Sequence, residues 1–457
     1  MKKYLLIFVL AAATTVKCQS TIVIGTTTVG IDTVYSGLDV PWEMIFAPDS
    51  QLWITERKGL VSRIDPVNKT KTVLLDIHTS VYTVAEAGML GMALHPDFPA
   101  TNLVYLVYTY GAIPNVKERL VRYLYLNDSL VNPVIMLDSI AAGTSHNGSR
   151  LFFMPDKTLL MSTGDSHIAT APQSTSAING KVLRMNPDGS VPADNPFPGS
   201  YTYSFGHRNV QGIAIAPGNE IYISEHGTAN DDEFQHLEKG KNYGWPDVEG
   251  FCDQPGEMAF CAANNVKEPI VDWTPSIAPN DLVYYENNRF PEFDKKFIMT
   301  TLKNKQLVAI QLNPQGTASV SVSTCLTGQF GRLRDICVGS RHEIYIATNG
   351  AEAANLDPGT HSILVLTPPT PTTGITEKKF TSLSVYPIIT SGLITIEPGD
   401  EATAGIFLTI TDITGNTRMQ TAFQSPLILS TLADGMYFLR VMRNGENLET
   451  FKIIVRK

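Results

Sequence analysis

The sequence predicts an all-β protein, a six-bladed β-propeller followed by a small C-terminal β-sandwich. Two observations carry that prediction. A hairpin phrase recurs along most of the 457 residues: an apolar strand, a turn with Pro, Asp or Gly, and a second apolar strand ending in Thr, Ser or Glu. A tract rich in Pro and Thr then separates this region from a tail of short alternating strands. Apolar runs flanking a turn signal favour paired strands over helices. A hairpin repeated at a steady period favours radial repetition over a two-sheet sandwich for the long region.

Taken in order, Met1-Lys2-Lys3 and the apolar stretch 4–13 read as a secretory signal peptide over residues 1–18. No later run is apolar enough to cross a bilayer, so no transmembrane segment is expected. The chain is expected to pass through the periplasm to the cell surface or medium. The propeller is expected over 21–367. Its phrase is clearest at 45–55, 151–163 and 213–224, with looser copies at 92–109 and 336–348. The turns fall at Pro48, Pro96, Pro155, Pro217 and Ser340, and the last interval is about twice the others. A sixth unit must lie inside it, and the segments 297–302 and 306–312 are the candidate hairpin. Residues 368–373 form the Pro/Thr linker, extended because proline lacks an amide donor and fixes φ. Residues 374–457 alternate short strands with turns, which suits a small sandwich.

Lys and Arg total 35 against 44 Asp and Glu, a net charge of -9, with no long basic run. A nucleic-acid partner is therefore not expected. Charged residues are 17% and apolar residues 43%, a globular rather than disordered composition. Beyond Cys18 stand Cys252, Cys261, Cys325 and Cys337 in two close pairs. The expected pairings are Cys252 with Cys261 and Cys325 with Cys337, in an oxidising compartment, with four free thiols as the alternative.

Function in a propeller belongs to the loops where blades converge on the channel. Polar clusters flank the strands there: Ser145-His146-Asn147-Gly148-Ser149-Arg150, Gly206-His207-Arg208-Asn209, Ser224-Glu225-His226-Gly227-Thr228, Thr301-Leu302-Lys303 and Gly331-Arg332-Leu333-Arg334-Asp335. Alternation along a strand places Arg332 and Arg334 on one face. One potential base, three arginines and a lysine at equivalent ends of different repeats suit an anionic ligand on the axis.

These clusters, with Gly-Met-Leu-Gly-Met-Ala-Leu-His-Pro-Asp-Phe at 88–98, Asp231-Asp232-Glu233 and Gly-Lys-Asn-Tyr-Gly-Trp-Pro at 240–246, resemble the soluble pyrroloquinoline quinone-dependent glucose and aldose sugar dehydrogenases, grouped with sorbosone dehydrogenases. The resemblance spans nearly all of 36–366. It implies a quinoprotein that oxidises the anomeric hydroxyl of an aldose, or a related sugar aldehyde, by hydride transfer to pyrroloquinoline quinone with Ca²⁺. It implies His146 as catalytic base, Arg208 as the group polarising the quinone carbonyl with Asn209 beside it, and Lys303, Arg332 and Arg334 as cations on the cofactor carboxylates. Glu86 and Trp273 match positions near cofactor or sugar. Backbone carbonyls of Gly227 and Thr228 match the cofactor calcium site, and Asp232, Glu233 and Tyr243 the structural calcium site. Ser145 stands where glucose specialists carry an acid that orients the base, so the support of His146 is expected to differ. Thr228 replaces a common Pro, which a carbonyl ligand tolerates. The wall near Ile270 lacks an aromatic of those specialists, which implies a broad aldose preference. The electron acceptor is unknown, since the chain has no Cys-x-x-Cys-His haem motif.

The tail resembles the C-terminal sorting domain of the type IX secretion system, through Val385-Tyr386-Pro387, Asp412-Ile413-Thr414-Gly415, Gly435-Met-Tyr-Phe-Leu-Arg-Val441 and the basic end at Lys457, although Ile388-Ile389 replace the usual Asn-Pro. The secretion machinery is then an expected partner. Two other classes stay open: a noncatalytic ligand-binding propeller and a calcium-dependent lactone hydrolase. The cationic set favours an anionic cofactor over the carboxylate-rich site of the latter.

Overall fold

The computed structural model describes residues 20–351, 361–368, 384–397, 405–443 and 446–457. The signal segment 1–18, most of the Pro/Thr linker and the start of the tail domain lie outside them. The chain divides into two compact units, 1–369 and 370–457.

In the first unit, five four-stranded antiparallel sheets and one five-stranded sheet form the six blades. The innermost strands are Pro41–Phe46, Met89–Leu94, Gly148–Phe153, Val210–Ala216, Pro279–Tyr285 and Leu333–Val338, and each touches its neighbours around the ring. The sixth blade closes the circle with strands from both ends of the propeller sequence. Thr27–Leu38 pairs with His361–Thr367 in register from Gly30 opposite Thr367 to Leu38 opposite His361. Ser20–Ile24 adds a further strand outside it.

Each gap between blades holds its own apolar layer, so the core is six slabs arranged around the axis. Between the first and second blades, for example, Trp53 and Val61 meet Met92, Val104 and Leu106. Between the sixth and first, Tyr345 and Ile363 meet Met44, Leu52 and Ile54. The alternating apolar residues of each hairpin face these layers, which is why one phrase recurs.

Two expectations require correction. The fifth inner hairpin is Pro279–Tyr285 with Lys296–Thr301, and Leu307–Leu312 is the third strand of that blade. The segments picked from sequence are thus its second and third strands. The connection 286–295 is long, so the inner hairpin carries no tight-turn signal. Cys252 and Cys261 are bonded, their Cα atoms 6.4 Å apart, pinning the start of the helix Pro255–Asn264 to its last turn. Cys325 and Cys337, by contrast, are free thiols. Cys325 ends the outermost strand of the fifth blade and Cys337 lies on the innermost strand of the sixth, so the radial order of strands keeps them in different apolar layers. Burial pushes the Cys325 thiol up to about 12 and holds Cys337 well above the ordinary thiol range too, which makes both poor nucleophiles.

The described part of the second unit is a two-sheet sandwich. Ser384–Tyr386, Leu393–Glu397 and Leu427–Ile428 form one sheet. Ile389–Thr390, Glu446–Val455, Gly435–Arg443, Ile406–Asp412 and Thr417–Ala422 form the other. Ile394 and Ile396 from the first sheet meet Leu408, Ile410, Leu439 and Ile453 from the second in a shared core. Among the described residues no helix is long and apolar enough to cross a membrane.

Candidate active site

In every blade the inner strand starts, and its antiparallel partner ends, at the same rim of the propeller. A cleft of about 70 Å³ lies there on the axis. Strand starts bring Trp42, Asn147, Gln211, Arg332 and Arg334 to it, and strand ends bring Arg57, His226 and Asn349. Glu86, from the loop before the second blade, also lines it.

His146 sits just before the third inner strand, in a left-handed backbone conformation with φ of 56°. Its amide donates to the Glu86 carboxylate at 3.1 Å, and its Nδ1 lies 2.9 Å from Asp165 Oδ1. Asp165 follows the second strand of the same blade and is buried. Gly164 makes the approach possible, because a Cβ there would lie 1.8 Å from the His146 carbonyl oxygen. Burial pushes the Asp165 carboxyl upward, but bonds from His146, the His167 amide and the Trp245 indole outweigh it and hold the group below the ordinary carboxylate range. An ionised Asp165 keeps the proton of a neutral His146 on Nδ1 and leaves Nε2 as the basic nitrogen. The orienting acid absent at position 145 is therefore supplied by Asp165 across a hairpin. Ser145 bonds instead to His167 at 2.9 Å, and the His167 ring stacks on His146 with centroids 4.0 Å apart.

The network continues to Arg208. Trp245 donates from Nε1 to Asp165 at 2.9 Å, and the Arg208 guanidinium lies 5.3 Å from the Trp245 ring centroid. Arg208 also donates to the His226 carbonyl at 3.1 Å. Glu225 fixes this corner: one oxygen accepts from the amides of Arg208 and Asn209, and the other meets His207 Nδ1 at 2.9 Å. Asn209 is buried and accepts from the Gly148 amide, tying the Arg208 loop to the His146 loop.

The cleft is rich in cations. Burial, then repulsion from Arg150 and Arg332, lowers Arg334 to about 9. Burial also lowers Arg57, against the pull of Asp39 and Glu86. The Nε atoms of Arg57, Arg208 and Arg334 are buried without a hydrogen-bond partner among the described residues. Buried cationic side chains with unmet donors fit a polyanion. Arg332 and Arg334 both line the cleft as alternation required, although the register shifts between Leu333 and Asp335. Arg57 and Trp42 were missed in the sequence, whereas Lys303 is exposed and outside the lining, which its neighbour Leu302 joins. Trp273 is half-buried at the end of the outer strand Val271–Trp273, paired with Asp232, and it too is outside the lining.

Beside Arg208 a smaller cavity is lined by Glu225, Gly227, Asp231, Glu233, Tyr243 and Glu249. Burial and the nearby carboxylates of Glu225, Asp272 and Asp231 push Glu233 well up, which marks a place short of positive charge. The carbonyl oxygens of Gly227 and Thr228 accept no hydrogen bond among the described residues. These donors suit a hard cation such as Ca²⁺. Asp232 does not: its carboxylate accepts from the amides of Gly227, Ile277 and Ala278 and from the Ser276 hydroxyl, so it organises the loops. The Tyr243 hydroxyl is likewise engaged, donating to the His236 carbonyl and accepting from the Glu238 amide. Only its backbone could serve a cation.

Comparison with known proteins agrees with this geometry. An uncharacterized protein of Synechocystis is 32% identical over 345 residues, covering 69% of this chain and 83% of its own length. An aldose sugar dehydrogenase of Escherichia coli is 27% identical over 340 residues, 70% of this chain and 90% of the relative. The PQQ-bound form of an aldose sugar dehydrogenase from Streptomyces coelicolor superposes with a TM-score of 0.65 at 32% identity, over 74% of this chain and 98% of that one. The family model described as Glucose / Sorbosone dehydrogenase matches residues 38–357, and the chain belongs to that family.

Proposed function

We propose that the protein is a quinoprotein sugar dehydrogenase that oxidises the anomeric hydroxyl of aldoses, or related sugar aldehydes, with pyrroloquinoline quinone and Ca²⁺. The observation carrying this reading is the cluster of unmet arginine donors beside the His146–Asp165 pair. When bound, the cofactor supplies an ortho-quinone that accepts a hydride, and its calcium draws electron density from it. Arg57, Arg332 and Arg334 hold its carboxylates, and the carbonyls of Gly227 and Thr228 hold the cation. Nε2 of His146 takes the proton of the sugar hydroxyl, and Asp165 stabilises the imidazolium so formed. Arg208, held by Glu225 and Trp245, offers positive charge where the oxygen of the hydride acceptor becomes negative. The product of an aldose is the lactone.

Glu233 and the Tyr243 carbonyl are the residues for a second, structural Ca²⁺. The propeller is proposed to be exported, with residues 374–457 as a type IX sorting domain that directs it to the surface or medium, and an external acceptor reoxidises the cofactor. Purified protein given pyrroloquinoline quinone and Ca²⁺ is expected to reduce a redox dye when aldoses are added. No dye reduction across a panel of aldoses and sugar aldehydes overturns the proposal.

A further inference from the structure

A carboxyl group that the proposed chemistry does not use is buried against the segment that carries His146. Glu118, in the third strand of the second blade, Lys117–Leu126, is 1% exposed. Its hydrogen-bond partner is Ser149, three residues after His146. No counter-charge faces it. Lys117 and Arg119 project from the other face of its strand, which Tyr108 and Tyr110 share across the ladder, and Arg119 pairs there with Asp138. Arg150, next to Ser149, is committed to Glu43 and Asp335. Glu86 and Asp165 are taken up by the amide and ring of His146. A buried carboxyl without a cation favours its protonated form, and burial lifts this one to about 8.

The count of hydrogens agrees. Ser149 Oγ lies 3.0 Å from Glu118 Oε1 and 3.2 Å from the Asn147 carbonyl oxygen. A hydroxyl has one proton to give. Beside an ionised Glu118 it would have two acceptors and could satisfy only one. Beside a protonated Glu118 both contacts are met, because the carboxyl O–H donates to Ser149 Oγ and the Ser149 O–H donates to the Asn147 carbonyl.

That relay ends in strained backbone. His146 and Ser149, with φ of 56° and 77°, are left-handed non-glycine residues on either side of Asn147-Gly148. The ladder slips between Gly148 and Leu151, so its regular bonds do not hold this turn. The Asn147 side chain closes the preceding loop, accepting from the Gly143 amide at 3.0 Å and donating to its carbonyl at 3.2 Å. We infer that Glu118 is a positioning residue: its carboxyl proton, relayed through Ser149 to the Asn147 carbonyl, holds the strained turn that sets His146 against Asp165. The kinetic consequence rests on the reading of His146 as the base, whereas the relay itself does not. Loss of the proton turns Ser149 toward the carboxylate, frees the Asn147 carbonyl and strands a buried charge that the turn relieves by opening to water. Since the folded group titrates above its unfolded value near 4.5, the relay is intact at neutral pH and is lost as pH rises through 8.

Glu118→Gln is the conservative variant, because its amide N–H donates to Ser149 at every pH. Dye reduction by reconstituted protein gives kcat for variant and parent, and titrations common to both cancel in their ratio. That ratio, variant over parent, should rise by about tenfold between pH 7 and pH 9, as the parent carboxyl passes from about one-tenth to about nine-tenths ionised. Nitrogen NMR of the full chain labelled at histidine, without cofactor or sugar, reads the turn directly. The His146 signals, assigned by their absence from His146→Ala, should report the proton on Nδ1 in both proteins at pH 7, and at pH 9 only in Glu118→Gln. A kcat ratio constant within about twofold, or the same His146 tautomer in both proteins at pH 9, would overturn the inference. Absence of dye reduction in both proteins would instead overturn the sugar dehydrogenase reading, and the nitrogen signals would still decide the role of Glu118.

Discussion

Replacing Asp165 with Asn tests how the base is held. The carboxylate accepts from His146 and the His167 amide on one oxygen and from Trp245 on the other. An amide can keep the first pair only by turning its NH₂ toward the Trp245 N–H. It cannot offer the negative charge that stabilises a protonated His146. The pair spans 2.9 Å in a largely buried setting, so the charge-assisted bond is worth about 1.5–3 kcal/mol in the step that charges the imidazole. That converts to a loss of about 10–150-fold in kcat. Cofactor affinity should stay within about threefold, since Asp165 does not line the arginine cleft. The decisive assay is a double-mutant cycle measured by dye reduction with reconstituted protein. If Asp165 acts through His146, His146→Ala with Asp165→Asn should be no slower than His146→Ala alone. A double variant slower by the full single effect of Asp165→Asn, or Asp165→Asn with parental kcat, would refute the reasoning.

Three further outcomes follow from the same geometry. Arg57→Ala and Arg332→Ala should each raise the dissociation constant for pyrroloquinoline quinone by about tenfold or more in a titration, and unchanged affinity in both would place the carboxylates elsewhere. Burial raises the Glu118 carboxyl to about 8 against one bond from Ser149, so the fold favours its protonated form: this contribution is complete below the unfolded value near 4.5 and is lost as pH rises through 8. Glu118→Gln should melt close to the parent at pH 5 and above it at pH 9, and the opposite order would show that the carboxylate is stabilised. A chain ending near Thr367 should fold and oxidise aldoses like the longer one yet remain periplasmic in a host with type IX secretion; full export of the shortened chain would remove the sorting assignment, and lost activity the independence of the propeller.

How far the sequence could be read follows from the geometry of a blade. The recurring phrase exposed five inner hairpins because a tight turn joins the two strands whose side chains face the apolar layers. The fifth blade broke the pattern with its long connection 286–295. Closure by Thr27–Leu38 was hidden because its partner His361–Thr367 lies more than 300 residues away and no local pattern marks such pairing. At the site, attention fell on residues that precede inner strands, such as His146, Arg208 and Arg332, and on the ends of the second strands of the fourth and fifth blades, at Gly227 and Lys303, but not on those of the first and third. The second strand ends at the same rim, so Arg57 after Glu56 and Asp165 after Gly164 were equally placed to act. That rule of antiparallel hairpins was the available signal for both. Asp232 misled for another reason: sequence shows a carboxylate but not the four donors that already satisfy it.

The most direct test separates binding from chemistry in the proposed cleft. Parent protein and His146→Ala are titrated with pyrroloquinoline quinone in the presence of Ca²⁺, and an aldose is then added without air or dye while the cofactor absorbance is followed. Both proteins should bind one equivalent with similar affinity, and the sugar should reduce the cofactor in the parent at a rate about a hundredfold or more above that in the variant. Absence of stoichiometric binding by the parent, or equal reduction in the two proteins, would contradict the account.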